Sequence, residues 1–245
     1  MQSLKRRFFD THKDYYLSGF KFPYARVNEF KNFKKITRNI VLKNILEFPS
    51  DGKMLNYVYP ESIIDRGEVL HGDWEKLYRN KILITSYGLS EIKDHHYDAI
   101  LGITPFHHAT HKQQIRLIDS SIDKIKNRGI LIFGEVLKGS KEAIFLDEFI
   151  HKFSKNGHKG NYPDIKFIKI LKKAGYSKTL VKKYNCPWIF QTEKEMCIFC
   201  KKIFGLNKIK KDFLLSNLMS YLGYKKYRNQ IYLNWNLIYF VGLKP

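Results

Sequence analysis

The sequence is poor in cysteine and lacks any long apolar run. Its three cysteines, an odd number, exclude a disulfide framework, and with no signal-peptide pattern they predict a reducing, cytoplasmic location. Cys197 and Cys200 form a C-x-x-C pair inside an amphipathic helix pattern, without the second pair that a zinc site needs. We expect them to pack in the core, with a metal or redox role as the alternative, and we predict no metal site. The longest apolar stretch, residues 231–243, is interrupted by two asparagines and is too short to span a membrane.

Acidic residues are also scarce. The 23 Asp and Glu stand against 44 Lys and Arg, which gives a formal net charge of +21. Such an excess suggests an acidic partner: nucleic acid, an anionic membrane surface or an acidic carrier protein. A bias toward residues with AT-rich codons explains it equally well. Disorder is excluded because 44% hydrophobic and 15% aromatic residues provide enough apolar surface for a core.

Residues 1–39 combine basic and aromatic side chains. Such a segment can stack on nucleic-acid bases, or it can form a helical cap that buries the aromatic rings while the lysines stay solvated. We favour the cap.

Short apolar runs alternate with helical patterns through the first 136 residues. Because a parallel sheet is buried on both faces, this alternation predicts a mainly parallel sheet covered by helices. The predicted strands are residues 40–48, 62–65, 81–86, 97–103 and 130–136, and the predicted helices are residues 54–59 and 113–126. Arg128-Gly129 is expected to end the second helix.

The remaining residues predict more helices than strands. Thr192, with Glu195 three residues later, has the pattern of a capping box at a helix start. The predicted helices are residues 143–153, 165–173, 192–204 and 211–222, and the predicted strands are residues 177–184 and 232–241.

Several motifs, in order, resemble the central part of class I S-adenosylmethionine-dependent methyltransferases. Tyr97–Ile103 is followed by Pro105-Phe106-His107-His108, and Arg128–Glu135 is similar to the family's "LkpGGxlxxxE". Lys173–Tyr176 is similar to its "l..aGF", and Trp235–Pro245 to its last strand. The resemblance covers roughly residues 40–245 and rests on the order of the motifs.

The resemblance implies a Rossmann-like α/β fold with a seven-stranded mixed sheet of order 3-2-1-4-5-7-6 and helices on both faces. Only the seventh strand is expected to be antiparallel. The whole chain, residues 1–245, is then one methyltransferase-like domain, with the cap at residues 1–39 and a helical insertion at residues 185–228 between strands six and seven.

The cofactor loop departs from the family pattern. Where the family has E/D-x-G-x-G-x-G, whose glycines let the backbone approach the cofactor, residues 47–53 contain a single glycine. They resemble more closely the D-F-P-S-G-H-G-R loop of some methyltransferases, one residue shorter. The resemblance implies S-adenosylmethionine as cofactor, with Glu47 at its amino group, Asp65 at its ribose and Tyr87 near its adenine. The full predicted cofactor set is Glu47, Pro49, Ser50, Gly52, Asp65, Ser86, Tyr87 and Ile103.

The candidate catalytic residues follow the fourth and fifth predicted strands. His107 and His108 come after strand four, and Glu135 ends strand five, at the carboxyl edge where open α/β sheets bind ligands. Histidine titrates in the range that suits a general base, although packing or capping explains these residues too. Predicted substrate contacts are Tyr24, His158, Tyr162 and Trp188, each with a structural role as the alternative.

The sequence thus predicts a methyltransferase for a small molecule or a carrier-bound acyl group, with O-methylation of a carboxyl or hydroxyl. One alternative is an RNA or DNA methyltransferase, although Thr104-Pro105-Phe106 matches only part of the motif that amino-methylating members carry. The other is a degenerate methyltransferase-like scaffold without catalysis, suggested by the glycine-poor loop.

Overall fold

The computed structural model describes residue 18 and residues 21–50, 54–68, 81–83, 87–154 and 157–245. Seven strands form one sheet in the order β3-β2-β1-β4-β5-β10-β6, and three form a second sheet in the order β7-β9-β8. The strands are β1 Asn44–Glu47, β2 Ile63–Glu68, β3 Lys81–Leu83, β4 Tyr97–Ile103, β5 Ile125–Glu135, β6 Lys178–Asn185, β7 Trp188–Phe190, β8 Tyr224–Tyr227, β9 Gln230–Leu233 and β10 Asn236–Leu243.

The large sheet confirms the predicted topology. β1 to β5 pair in parallel, while β10 is antiparallel to both β5 and β6. With β10 counted as the seventh strand, the order is the predicted 3-2-1-4-5-7-6. The carboxyl ends of β1, β2, β4 and β5 therefore lie along one edge.

Helices cover both faces of this sheet. They are α1 Val27–Ile36, α2 Met54–Val58, α3 His111–Lys124, α4 Lys141–Ile144, α5 His151–Phe153, α6 Ile168–Lys173, α7 Glu193–Ile203 and α8 Lys211–Tyr221, with a π-helical segment Phe145–Ile150 between α4 and α5 and a 3₁₀ turn Ile165–Phe167 before α6. On one face α1, α4, α7, α8 and the π-helical segment contribute to the larger apolar core. On the other face α3 and α6 form a second core. No helix in the described part of the chain is both long and apolar enough to cross a bilayer.

Local signals explain where two of the helices begin. Thr110 forms a capping box with Gln113, so α3 starts at His111, two residues before the predicted position. The side chain of Thr192 accepts a hydrogen bond from the backbone of Glu195, as predicted, while the Glu195 carboxylate bonds to the N–H of Gln191.

Several boundary predictions were wrong, three of them in the second half of the chain or next to it. Residues 232–241 are not one strand: β9 and β10 belong to different sheets and separate at Asn234, which bonds to the Leu222 and Gly223 carbonyls. The insertion between β6 and β10 is not only helical, because it contains the three-stranded sheet. Arg128-Gly129 does not end a helix, because α3 stops at Lys124 and β5 already begins at Ile125.

A close contact between β4 and the loop after β1 positions the candidate cofactor edge. The Phe48 N–H donates to the Leu101 carbonyl at 3.0 Å. A Cβ on Gly102 would lie 2.0 Å from the Phe48 carbonyl oxygen, so only glycine permits this approach. The first residues after β1 are thus held against β4.

Candidate functional site

The end of β5 is bonded to the loop that follows β4. Glu135 is fully buried, and its Oε2 accepts hydrogen bonds from the N–H groups of Phe106 (2.8 Å) and His107 (3.2 Å). Its Oε1 lies 2.9 Å from His107 Nδ1 and also accepts from the Val136 N–H. One carboxylate therefore shapes the backbone of the loop and orients the His107 imidazole.

Three histidines meet beside Glu135. His107 and His108 lie on the loop after β4, and His158 lies on the loop between α5 and the 3₁₀ turn. Their ring centroids are 4.0 Å apart for His107 and His108, 5.3 Å for His107 and His158, and 5.1 Å for His108 and His158. Tyr162 stacks on His107 with an interplanar angle of 25°. The structure thus brings together four predicted site residues from two distant segments.

Hydrogen bonds hold the two loops together. The Asn161 N–H donates to the His107 carbonyl at 2.8 Å. From α3, the buried amide of Gln114 donates to the carbonyls of Phe106 (2.9 Å) and Asn161 (2.7 Å). Because the three segments share these bonds, the histidines sit in a frame of backbone contacts.

Asp147, in the π-helical segment, is the carboxylate on the other side of the cluster. Its Oδ1 lies 3.5 Å from His158 Nδ1 and accepts a bond from the Tyr162 hydroxyl at 3.0 Å. Burial, reinforced by the nearby His107, lowers the pKa of His158 to about 3, against the opposing effect of Asp147. Burial, together with the charge of Asp147, raises the pKa of Tyr162. Both side chains are therefore neutral at pH 7.

A cleft of about 480 Å³ opens next to this cluster. It lies beyond the carboxyl ends of β4 and β5, and both Asp147 and Tyr162 contribute to its wall. Its lining carries both signs of charge. Lys138 and Lys159 are basic, and Asp147 and Glu148 are acidic. A cleft of this size and polarity suits a small polar molecule.

A second polar arrangement lies at the end of β1 and near the end of β2. Glu47 ends β1 and is paired in register with Arg66, and both side chains are buried. Arg66 Nε lies 3.4 Å from Glu47 Oε2, and its guanidinium also bonds to the Asn56 side chain. A carboxylate beside a guanidinium fits the amino-acid end of S-adenosylmethionine, which carries an ammonium and a carboxylate. The resemblance alone did not indicate Arg66.

The end of β2 differs from the predicted one. β2 runs to Glu68, three residues beyond Asp65, so Glu68 is the acid at the carboxyl end of this strand. Asp65 lies within the strand, and its Oδ2 accepts a 2.7 Å hydrogen bond from the Tyr97 hydroxyl.

The other predicted cofactor residues lie partly within the described region. Ser50 is buried, and its N–H donates to the Gly67 carbonyl at 3.0 Å, which joins the loop to β2. Pro49 precedes it, and Tyr87 packs edge-on against Phe48 with ring centroids 6.4 Å apart. Ile103 is buried at the end of β4. Gly52 and Ser86 lie outside the described residues.

Two predicted substrate residues lie away from the cleft. Trp188 is buried in the core, where its Nε1 donates to Glu29 at 2.8 Å and its ring packs against Trp235 at 4.6 Å. The structure thus places it in the core and not on the cleft wall, because its large apolar ring fills space between β7 and α1. Tyr24 is exposed and contacts Tyr57 with ring centroids 6.3 Å apart.

Comparisons with known proteins identify the fold. No protein-family model and no curated protein sequence matches this chain. Among solved structures, a SAM-dependent methyltransferase from Thermotoga maritima matches with a TM-score of 0.61 and 13% identity over 100% of both chains. One from Archaeoglobus fulgidus matches with a TM-score of 0.57 and 12% identity over 94% of this chain and 99% of that chain. Phosphoethanolamine N-methyltransferase 2 from Haemonchus contortus, in complex with phosphomonomethylethanolamine and S-adenosylhomocysteine, matches with a TM-score of 0.54 and 14% identity over 88% of this chain and 52% of that chain. The chain has the fold of the S-adenosylmethionine-dependent methyltransferases.

Proposed function

We propose that this chain is an S-adenosylmethionine-dependent methyltransferase that acts on a small polar molecule. The observation that carries the proposal is the arrangement along one sheet edge. The Glu47–Arg66 pair lies at the end of β1 and two residues before the end of β2, and the His107–Glu135 pair lies at the ends of β4 and β5 with the cleft nearby. Open α/β sheets bind their ligands along this edge, so cofactor and acceptor would sit side by side.

The residues at the ends of β1 and β2 would hold the cofactor. Glu47 would bind its ammonium group and Arg66 its carboxylate. Glu68, by its position at the end of β2, is a better candidate for the ribose hydroxyls than Asp65, which is engaged with Tyr97. Pro49, Ser50, Gly52, Ser86, Tyr87 and Ile103 remain the proposed residues around the rest of the cofactor. When bound, S-adenosylmethionine supplies an electrophilic methyl group and leaves as S-adenosylhomocysteine.

The histidine cluster would act on the acceptor. His107, with Nδ1 held by Glu135, presents its other nitrogen to take the proton of a hydroxyl as the oxygen attacks the methyl carbon. The negative carboxylate of Glu135 would stabilise the resulting imidazolium. His108, His158 and Tyr162 would shape the acceptor site, and the cleft would hold the remainder of the substrate. We therefore propose O-methylation of a hydroxyl.

The basic charge does not require a nucleic-acid substrate. Exposed lysines lie on β6, at one edge of the large sheet, and on β8, at one edge of the small sheet. Lysines on edge strands discourage pairing with other chains, so part of the charge has a structural reason. These edge lysines are Lys178, Lys182, Lys183, Lys225 and Lys226.

Titration calorimetry with S-adenosylmethionine and S-adenosylhomocysteine tests the proposal. We expect binding by the wild type, and affinity reduced by about 10–100-fold in Arg66→Gln, because a charge-assisted hydrogen bond contributes about 1.5–3 kcal/mol. Arg38→Gln is the matched control, because Arg38 is exposed just after α1. No binding at millimolar ligand would sink the enzyme proposal.

A second pair of variants assigns the ribose contact. Glu68→Gln should weaken cofactor binding. Asp65→Ala should lower stability through the lost bond to Tyr97 and affect affinity less. If the Asp65 variant weakened cofactor binding and the Glu68 variant did not, Asp65 would be the residue that binds the ribose.

A further inference from the structure

We propose that His107, His108 and His158 form a binding site for a divalent transition-metal ion such as Zn²⁺. One ligand atom from each side chain lies within 4.8 Å of the others. Imidazole nitrogens are common ligands of Zn²⁺ and its neighbours among the first-row metals. In a search of the described residues for three His, Cys, Asp or Glu side chains with ligand atoms this close together, this is the group found.

The orientation of two of the rings favours a metal. His107 Nδ1 lies 2.9 Å from Glu135 Oε1, and His158 Nδ1 lies 3.5 Å from Asp147 Oδ1. With Nδ1 directed at a carboxylate, Nε2 is the nitrogen left to bind an ion. Histidines that bind metals usually direct their other nitrogen at a carboxylate or carbonyl in this way, which fixes the tautomer and makes the ring a better ligand.

The distances are within reach of a bound ion. With Zn–N bonds of about 2.0–2.1 Å, the nitrogens of a tetrahedral site lie about 3.3 Å apart. The ligand atoms that lie within 4.8 Å of one another would therefore need to close by about 1.5 Å at most, which side-chain rotation provides. The backbone need not move, because the Asn161 N–H already holds the second loop to the His107 carbonyl at 2.8 Å.

The cleft adjoins such a site through two neighbours of the histidines. Three protein ligands leave a fourth position for water or a substrate atom. Tyr162, stacked on His107, and Asp147, beside His158, both contact the cluster and line the cleft. If the proposed function holds, the acceptor hydroxyl would occupy the fourth position, where coordination would lower its pKa so that its proton passes to solvent. A nitrogen bound to metal cannot also accept a proton, so this role would replace the general-base role of His107.

Metal titration of the full chain tests the site without any cofactor. Protein treated with a chelator is titrated with Zn²⁺ by calorimetry and with Co²⁺ by the visible absorption of the four-coordinate ion. We expect one ion per chain, and loss of this binding in His108→Ala and His158→Ala. His111→Ala is the matched control, because His111 lines the same cleft outside the cluster.

A milder variant covers the case in which a histidine variant does not fold. Asp147→Asn keeps all three ligands but removes the carboxylate beside His158, so affinity should fall about 10–100-fold. Glu148→Gln, an exposed neighbour, should bind like the wild type. Absence of Zn²⁺ and Co²⁺ binding by the wild type, or an unchanged Co²⁺ spectrum in His158→Ala, overturns the proposal. Because S-adenosylmethionine binding is measured separately, failure of either proposal leaves the other standing.

Discussion

Glu135 Oε1, at the end of β5, lies 2.9 Å from His107 Nδ1 on the loop after β4. The same carboxylate accepts hydrogen bonds from the backbone N–H groups of Phe106, His107 and Val136. Both of its oxygens are thus engaged in hydrogen bonds within the protein. In the proposed mechanism, Glu135 is therefore a positioning residue that acts through His107. The candidate active edge depends on this one buried anion, because it connects two neighbouring strands of the sheet.

Replacing Glu135 with glutamine should destabilise the protein. The amide offers one acceptor and two donors where the carboxylate meets several donors, so we expect a loss of about 1–3 kcal/mol in the free energy of unfolding. Urea denaturation measures it. Glu148→Gln, on the exposed side of the π-helical segment, should change stability by less than about 0.5 kcal/mol. Equal stability of the two variants would contradict this role of Glu135.

Gly102→Ala should disturb the candidate cofactor edge. Its Cβ would lie 2.0 Å from the Phe48 carbonyl oxygen, so β4 and the loop after β1 would have to separate. We expect a loss of about 1–3 kcal/mol, or no folding at all, measured by urea denaturation. At Gly139 an added Cβ would have open space around it. Gly139→Ala should therefore lower the free energy of unfolding only by the strain of the positive φ, about 1 kcal/mol. A fully tolerated Gly102→Ala would show that the loop is not packed as described.

His158 should make stability depend on pH. Its pKa is lowered from 6.5 to about 3 in the folded protein, mainly by burial. The unfolded chain therefore takes up this proton first, and stability falls as the pH drops from about 6.5 toward 3. In chelator-treated protein, the denaturation midpoint should decrease from pH 7 to pH 4 less steeply in His158→Asn than in the wild type. His95→Asn, at an exposed position, should have the same pH profile as the wild type. Identical pH profiles for the wild type and both variants would contradict the buried, neutral state of His158.

Asp98 should contribute stability at the amino ends of the strands. Its Oδ2 accepts the N–H groups of Lys43 and Asn44, and its Oδ1 bonds to Lys126 at 2.8 Å. Partial burial opposes its ionisation, but these hydrogen bonds outweigh burial and lower its pKa. The stabilisation is thus present above pH 4 and is lost as the pH falls through the lowered pKa.

Asp98→Asn tests this contribution by urea denaturation at pH 7. We expect a loss of about 1 kcal/mol, because one of the backbone donors would face the new amide group. Asp94→Asn removes an exposed ion pair with Lys124 and should cost less than about 0.5 kcal/mol. A larger loss for Asp94→Asn would contradict the role given to Asp98.

The large sheet could be predicted because each of its central strands carries its own signal. β4 matches the predicted residues 97–103, since a strand buried on both faces is a nearly continuous apolar run. The β8–β9 hairpin could not be predicted in the same way. Its turn places Arg228 and Asn229 at positive φ, where glycine is the usual signal. Likewise, the division between β9 and β10 depends on bonds from Asn234 to residues in another part of the chain.

The candidate site also has a part that the sequence predicted and a part that it did not. The amino-acid order determined that His107, His108 and Glu135 follow adjacent parallel strands, because hydrophobic periodicity is local and parallel strands end at a common edge. The sequence did not predict that His158 and Asp147 lie near these residues, or that Arg66 pairs with Glu47. These contacts join segments far apart in the sequence, and they depend on strand register, on the buried bonds of Gln114 and on the packing of the loops. Local patterns carry no information about such distances, so folding alone placed these charges and imidazoles together.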